Sequence, residues 1–253
     1  MLNHTIDKMR SELKLSAMAQ VIFDQNQNKT LKALDFDERL GLAVDAEIAE
    51  RDSRKLQRSI RTAKFKTVAC PEDIDFQSKR GLNKQVITNL NQCDWIEDGQ
   101  NVILTGPTGL GKTWLACAFG VQAARKGYSV LYKRLSRLLE ELEIAFHDGS
   151  LAALRNKISK AKVLILDDWG LAPLTERGRQ ELLEIIDDRS GSGSLIITSQ
   201  LPVDAWHDYL GEATIADAIL DRVVHRAHII PLRGDSLRKK QDAQFDMPMG
   251  EEQ

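Results

Sequence analysis

The sequence predicts an α/β domain built on a five-stranded parallel sheet with flanking helices, preceded by a small all-α segment. Three observations carry this reading. Beyond Gly81, five short aliphatic runs are separated by stretches of 20 or more residues, each long enough for a crossover helix. A glycine-rich G-x-x-x-x-G-K-[ST] pattern directly follows the first of those runs. Before them, apolar residues recur at helical spacing and no proline occurs until Pro71.

Taken in order, Ile6, Met9 and Leu13, then Met18, Val21 and Ile22, repeat every three or four residues. They predict about three helices between Thr5 and Lys64, with breaks near Gln25 to Thr30 and Leu34 to Asp37. From Phe65 to Phe76 the helical period is lost and Pro71 intervenes. Residues 1–66 therefore read as a helical domain, 67–80 as a linker and 81–253 as the second domain. The expected strands are NVILTG (101–106), SVLYK (129–133), KVLILD (162–167), SLIITS (194–199) and HIIPL (228–232). Their nearly unbroken apolar character suits a sheet covered on both faces. A helix from Ile215 to Arg226 turns Ile215, Ile219, Leu220 and Val223 inward and sets Arg222 and Arg226 one turn apart on one face.

Composition bounds the function classes. Of 253 residues 42% are hydrophobic and 28% charged, an ordinary globular balance that excludes general disorder. Lys plus Arg number 35 against 37 for Asp plus Glu, so the whole-chain charge of -2 gives no bias toward nucleic acid or membrane. No stretch has the length of a signal-peptide core or a membrane span. Cys70, Cys93 and Cys117 have no metal-ligand, redox or disulfide spacing, and the five histidines show no ligand spacing, so a reducing, cytoplasmic setting is expected.

The chemistry concentrates in Gly106-Pro107-Thr108-Gly109-Leu110-Gly111-Lys112-Thr113. The glycines let successive backbone N–H groups face a phosphate, and the following helix adds the positive end of its dipole. Lys112 supplies a point charge to the β- and γ-phosphates and the Thr113 hydroxyl ligates Mg²⁺, so Gly106 to Trp114 is the expected nucleotide-contact set. The indoles of Trp95, Trp114 and Trp169 read as packing. Asp167-Asp168 closes the third expected strand at the edge where parallel sheets gather ligands. Asp167 is expected to hold Mg²⁺ through water and Asp168 to orient or deprotonate an attacking water. A strand between the two motifs suggests the additional-strand type of ATPase. The guanine signature is missing, since Asn83-Lys84-Gln85-Val86 lacks its Asp, which favours ATP. Gln200, just past the fourth strand, is placed to contact the γ-phosphate or the water. An exposed Arg222 or Arg226 has two readings, a surface salt bridge or an arginine finger reaching a neighbour's site.

Local charge tells more than the total. Arg51, Arg54, Lys55, Arg58, Arg61, Lys64 and Lys66 face a single acid, Asp52, a local charge of +6. The first four stand at i, i+3, i+4 and i+7, on one helical face, matching a phosphate backbone and predicting salt-sensitive, sequence-independent DNA binding. A solvated helix face is the alternative. Arg134, Arg137 and the Lys157 to Lys162 group are weaker candidates for a second DNA-facing surface.

With these motifs in place, the chain resembles AAA+ ATPases of the DnaC/DnaA branch, most closely the IstB-like helper ATPases encoded beside insertion-sequence transposases. The resemblance rests on HTIDKMRSELKLSAMA, GPTGLGKTWLA, LILDDWGL, IITSQLP and DRVVHRAHIIPLRGDSLRKK, and covers nearly the whole chain. It implies that Gly106 to Thr113 bind ATP, that Asp167 is the metal-associated acid, and that Asp168 takes the catalytic position where Glu is usual. It places Gln200 at the sensor position, where Asn is commoner, Arg222 at the finger, and Arg238 as a possible second sensor. Only 21 residues follow Leu232, which implies a domain without the helical lid. Such helpers bind duplex DNA, self-associate with ATP, remodel target DNA and recruit or stimulate a cognate transposase, with hydrolysis as a switch. A replicative helicase loader, sharing the ATPase but gripping another protein, is the rival implication; a small-molecule kinase is disfavoured by the paired acids.

Overall fold

The computed structural model describes residues 2–77 and 80–237. The chain divides into two compact units, Met1–Arg58 and Ser59–Gln253. The first unit is helical. It contains α1 (Leu2–Ser11), α2 (Ser16–Gln27), the single turn α3 (Lys29–Lys32) and most of α4 (Phe36–Ala63). The Asn28 carboxamide starts α3 by accepting from the Thr30 N–H, and Asp35 starts α4 by accepting from the Glu38 N–H. A break at Glu12 to Leu15, with Lys14 at φ 57°, carries no proline or glycine, so no local sequence signal marks it. Leu15 cannot cap α2. The buried Glu47 of α4 does so instead, accepting from the Ala17 and Met18 N–H groups at 3.0 and 3.2 Å.

The second unit begins with packed chain. In the stretch read as a linker, Ala69, Pro71 and Ile74 are buried, and the ring of Phe65 lies where a Cβ on Gly120 would strike it. After a 3₁₀ turn at Pro71–Asp73 come α5 (Lys84–Gln92) and α6 (Asp94–Glu97). Asn83 is the N-cap of α5, accepting from the Gln85 and Val86 N–H groups. The sheet and its crossovers follow: β1 (Asn101–Thr105), α7 (Lys112–Arg125), β2 (Val130–Arg134), α8 (Leu135–Asp148), α9 (Leu151–Ser159), β3 (Val163–Trp169), α10 (Glu176–Arg189), β4 (Ser194–Ser199), α11 (Trp206–Leu210), α12 (Ala213–Val224) and β5 (Ala227–Pro231).

All four ladders are parallel and the strand order is β2-β3-β4-β1-β5. Strand β4 therefore separates the phosphate-loop strand from the acidic strand β3. On one face Leu164 and Leu166 of β3 join Leu135, Leu138 and Leu142 of α8, Leu182 and Ile186 of α10, and Ile219 and Val223 of α12 in one buried cluster. Ile165, pointing the other way, meets α7 near Gly120. Each fully buried aliphatic side chain contributes about 1.5–3 kcal/mol, so this two-sided core holds the strand ends in register.

At the amino-terminal edge the buried Arg189 ties three elements together. Its Nη1 donates to the Ile158 and Ala161 carbonyls at 2.9 and 2.7 Å, and its Nη2 to the Lys162 and Ser194 carbonyls at 3.2 and 2.9 Å. Burial pushes its pKa down to about 10, leaving it protonated at neutral pH. Replacing Arg189 by Met keeps the aliphatic stem and strands those carbonyls, and is expected to cost about 3 kcal/mol of unfolding free energy in urea denaturation. An unchanged midpoint would show the clamp to be dispensable.

Candidate nucleotide-binding site

The site forms at the carboxyl edge of the sheet, where β1 ends and the chain turns through Gly106 to Gly111 into α7. Gly106, Gly109 and Gly111 have φ of 133°, 87° and 80°, backbone conformations that side chains disfavour. Space forbids a side chain too. A Cβ on Gly106 would overlap the Leu232 carbonyl oxygen, one on Gly109 the Ser236 hydroxyl, and one on Gly111 would lie 2.9 Å from Arg80 Nη1. The loop is thus clasped from both sides in sequence. Arg80, almost fully buried, donates to the Leu110 carbonyl at 3.1 Å and the Asp75 carbonyl at 2.8 Å. After β5, the Leu232 N–H donates to the Thr105 carbonyl and the Leu237 N–H to the Gly109 carbonyl.

Lys112 opens α7 with its ammonium on the loop's own carbonyls, 2.6 Å from Gly106 O and 2.8 Å from Pro107 O. Burial pulls its pKa below the ordinary lysine value, and Asp168 and Asp167 oppose that shift. Thr113 follows. Its hydroxyl donates to Asp167 Oδ1 at 2.7 Å, across 54 residues of sequence. Because the proton goes to the carboxylate, the threonine oxygen keeps its lone pairs for a cation. Among the described residues no group of three or more His, Cys, Asp or Glu could hold a metal. A cation here would depend on hydroxyl, carboxylate, water and phosphate oxygens, which is the donor set Mg²⁺ takes.

Asp167 is fully buried and richly bonded. Tyr132 Oη donates to its Oδ2 at 2.6 Å and Thr198 Oγ1 to its Oδ1 at 2.6 Å, while Lys66 Nζ stands 3.8 Å from Oδ2. Burial first, and then the bond to Asp167, push the Tyr132 phenol far above its ordinary pKa, so it stays a proton donor. Asp168 sits at an irregularity within β3. Its φ is 63°, and the β3–β4 register shifts between Leu166 and Trp169, which turns its carboxylate out of the sheet edge. There it pairs with Arg134 Nε at 2.7 Å. Arg134, a candidate for a second DNA-facing surface, is exposed and holds the Asp168 carboxylate at the edge of this site.

A cleft of about 570 Å³ brings many of the predicted residues together, while Gly106, Pro107, Leu110 and Asp167 lie outside its lining. Thr108, Gly109, Gly111, Lys112, Thr113, Trp114, Asp168 and Gln200 line it. So do Lys66, Thr67, Asp73, Asp75, Arg80 and Leu237, none of which was assigned to the nucleotide from sequence. No motif marks them, because they reach the cleft only through the fold of the segments before and after the sheet. Lys66, the last residue of the basic run, thus lines the cleft with its ammonium near Asp167.

The remaining predicted residues lie elsewhere. Arg222 pairs with Asp187 at 2.7 Å and Arg226 donates to the Asp98 carbonyl at 3.0 Å. The Asn101 side chain, at the start of β1, donates to the Arg222 carbonyl. Both arginines therefore sit at the amino-terminal edge, about 13 Å of strand away from the loop, and cannot serve their own chain's cleft. Arg51, Arg54, Lys55, Arg58 and Arg61 are all exposed on α4. Arg51 and Arg54 are paired with Glu47 and Glu50 one turn earlier, acids that the charge count of the run left out. Arg238 lies outside the described residues.

The model of the IstB-like ATP binding protein family matches residues 8–245. The chain belongs to that family. Among IstB-like relatives, an insertion-sequence ATP-binding protein of Sinorhizobium fredii is 47% identical over 242 residues, covering 95% of this chain and 98% of the relative. The ATP-binding protein of insertion sequence IS1162 from Pseudomonas fluorescens is 50% identical over 203 residues, covering 80% and 87%. Among solved structures, DnaI superposes with a TM-score of 0.57 at 20% identity over 70% of this chain and 94% of its own. AMPPCP-bound DnaA from Aquifex aeolicus gives 0.55 at 18% identity over 74% and 59%. The IstB-like chain thus has the AAA+ fold of the DnaA/DnaC group, as its motifs predicted.

Gly106 offers a test of the cradle's geometry. Gly106→Ala forces a Cβ against the Leu232 backbone and is expected to cost about 2 kcal/mol or more in urea unfolding. Gly127→Ala, at φ 92° with nothing within 4 Å, should cost only about 1 kcal/mol. Equal costs would mean that the loop accommodates a side chain.

Proposed function

We propose that this chain is an ATP-dependent helper for DNA transposition: it binds ATP with Mg²⁺, self-associates on duplex DNA, remodels the target and recruits or stimulates a cognate transposase. The observation that carries the reading is the Thr113–Asp167 hydrogen bond inside a glycine cradle, which pairs a cation ligand with a buried acid beside a phosphate site. Gly106 to Trp114 hold the nucleotide, Lys112 neutralises its terminal phosphates, and Thr113 with Asp167 holds the cation. Mg²⁺ supplies charge neutralisation on the phosphates when bound. Asp168 accepts a proton from, or orients, the attacking water, and Gln200 faces the terminal phosphate from the end of β4. ATP hydrolysis then acts as the switch between assembly states.

The position of the two arginines is compatible with assembly into a higher oligomer. Since Arg222 and Arg226 lie at the edge opposite the cleft, a finger from this chain acts in trans, on a neighbour, and Arg222 is the one we assign. The family's insertion-sequence relatives support the transposition setting. The helical amino-terminal residues 1–66 form the DNA- and partner-binding part, with 81–253 as the ATPase. Among the described residues no helix is long and apolar enough to cross a membrane.

Two experiments test this. Lys112→Ala should abolish binding of a fluorescent ATP analogue, whereas Asp168→Asn should keep binding and lose phosphate release at least a hundredfold. Normal turnover by the Asp168 variant would remove its water-activating role. For DNA, Lys55 and Arg58 take part in no ion pair among the described residues. Replacing both by Glu should weaken duplex binding and lower the slope of log affinity against log salt by about 2, given roughly 0.9 per phosphate contact. An unaltered slope would take the α4 face out of the interface.

A further inference from the structure

Asp167 has no solvent access, yet a cation site needs its carboxylate in one orientation while the cation comes and goes. Of its three hydroxyl partners only Thr113 lines the nucleotide cleft. The other two come from neighbouring strands. Tyr132 reaches Oδ2 from β2 at 2.6 Å, and Thr198 reaches Oδ1 from β4 at 2.6 Å. Both are buried, and neither lines the nucleotide cleft. Thr198 does more, because its oxygen also accepts the Asp168 N–H at 3.0 Å. One chain of hydrogen bonds therefore runs from the Tyr132 phenol through the Asp167 carboxylate and the Thr198 hydroxyl to the backbone of Asp168.

The geometry points to Tyr132 and Thr198 as positioning residues of the cation site: they hold the Asp167 carboxylate with Oδ1 toward Thr113, and Thr198 transmits that constraint to Asp168. The inference rests on the Mg²⁺-nucleotide reading above. A carboxylate with two oxygens can rotate about its Cβ–Cγ bond, and a donor fixed on each oxygen from a different strand stops that rotation. Without the phenol, Oδ2 keeps only the half-exposed Lys66 ammonium 3.8 Å away, beyond hydrogen-bonding distance. The orienting partners of a metal site typically contribute roughly 10–100-fold to metal affinity.

The test uses the full chain with Mn²⁺ as probe, titrated by electron paramagnetic resonance in the presence of a nonhydrolysable ATP analogue. Affinity for a fluorescent ATP analogue in EDTA is measured in parallel. Tyr132→Phe and Thr198→Val should each weaken Mn²⁺ binding tenfold or more, with metal-free nucleotide affinity within twofold of the parent. Thr198→Ser, which restores the hydroxyl, should bring Mn²⁺ affinity back. If the parent binds both probes and Tyr132→Phe matches it, or loses metal-free nucleotide affinity to the same extent as Mn²⁺, the positioning role is overturned and the nucleotide reading stands. A parent that binds neither nucleotide nor Mn²⁺ overturns both. Should Tyr132→Phe fail to give a native circular dichroism spectrum, the two Thr198 variants decide: a defect in Val alone supports the role, and equal behaviour of Val and Ser overturns it.

Discussion

A single buried carboxylate organises the carboxyl edge of this sheet. Asp167 follows the apolar stretch Val163 to Leu166 of β3, and a charge without solvent access persists only where donors satisfy it. Three hydroxyls do so, from α7, β2 and β4. That requirement explains the polar residues at the ends of otherwise apolar strands, and it needs the strand order found here. With β3 between β2 and β4, both neighbours can reach the carboxylate. Asp168, next in the chain, then has to escape the ladder, and its left-handed backbone does this by pointing the second acid toward the cleft.

The phosphate loop shows a related economy. Its glycines are needed for backbone conformation, and the space a side chain would take is already filled by Leu232, Ser236 and Arg80. Those neighbours come from segments on either side of the sheet, so the loop's shape is held by chain that precedes β1 and chain that follows β5. Arg80 contributes most directly, its guanidinium bridging the Leu110 and Asp75 carbonyls. What composition presents as a connector is part of the site's wall.

The two edges of the sheet divide the work. Nucleotide chemistry gathers where the strands end, while Arg189, Arg222 and Arg226 gather where they begin. Arg189 is consumed by carbonyls and holds the edge together. Arg222 is tethered by the Asp187 carboxylate and the Ala218 carbonyl, and Arg226 by the Asp98 carbonyl, at a surface their own cleft cannot use. A parallel sheet with all strand ends on one side enforces this separation.

Local pattern determined a great deal in this sequence. Strand periodicity, crossover lengths and the G-x-x-x-x-G-K-T spacing depend only on near neighbours, and they located the five strands, the loop, Thr113 and the Asp167-Asp168 pair. The same locality explains the misreadings. Arg134 is exposed, as a surface charge should be, but its pairing with Asp168 was not legible because the two are distant in sequence and adjacent only through the β2–β3 ladder. The charge of α4 looked freer than it is because Glu47 and Glu50 fell just outside the run that was counted. Tyr132, Thr198, Arg80 and Lys66 carry no motif at all. Their roles arise from hydrogen bonds and packing between segments far apart along the chain, and only the tertiary structure, by fixing strand order and the path of both flanking segments, decided where those side chains would meet.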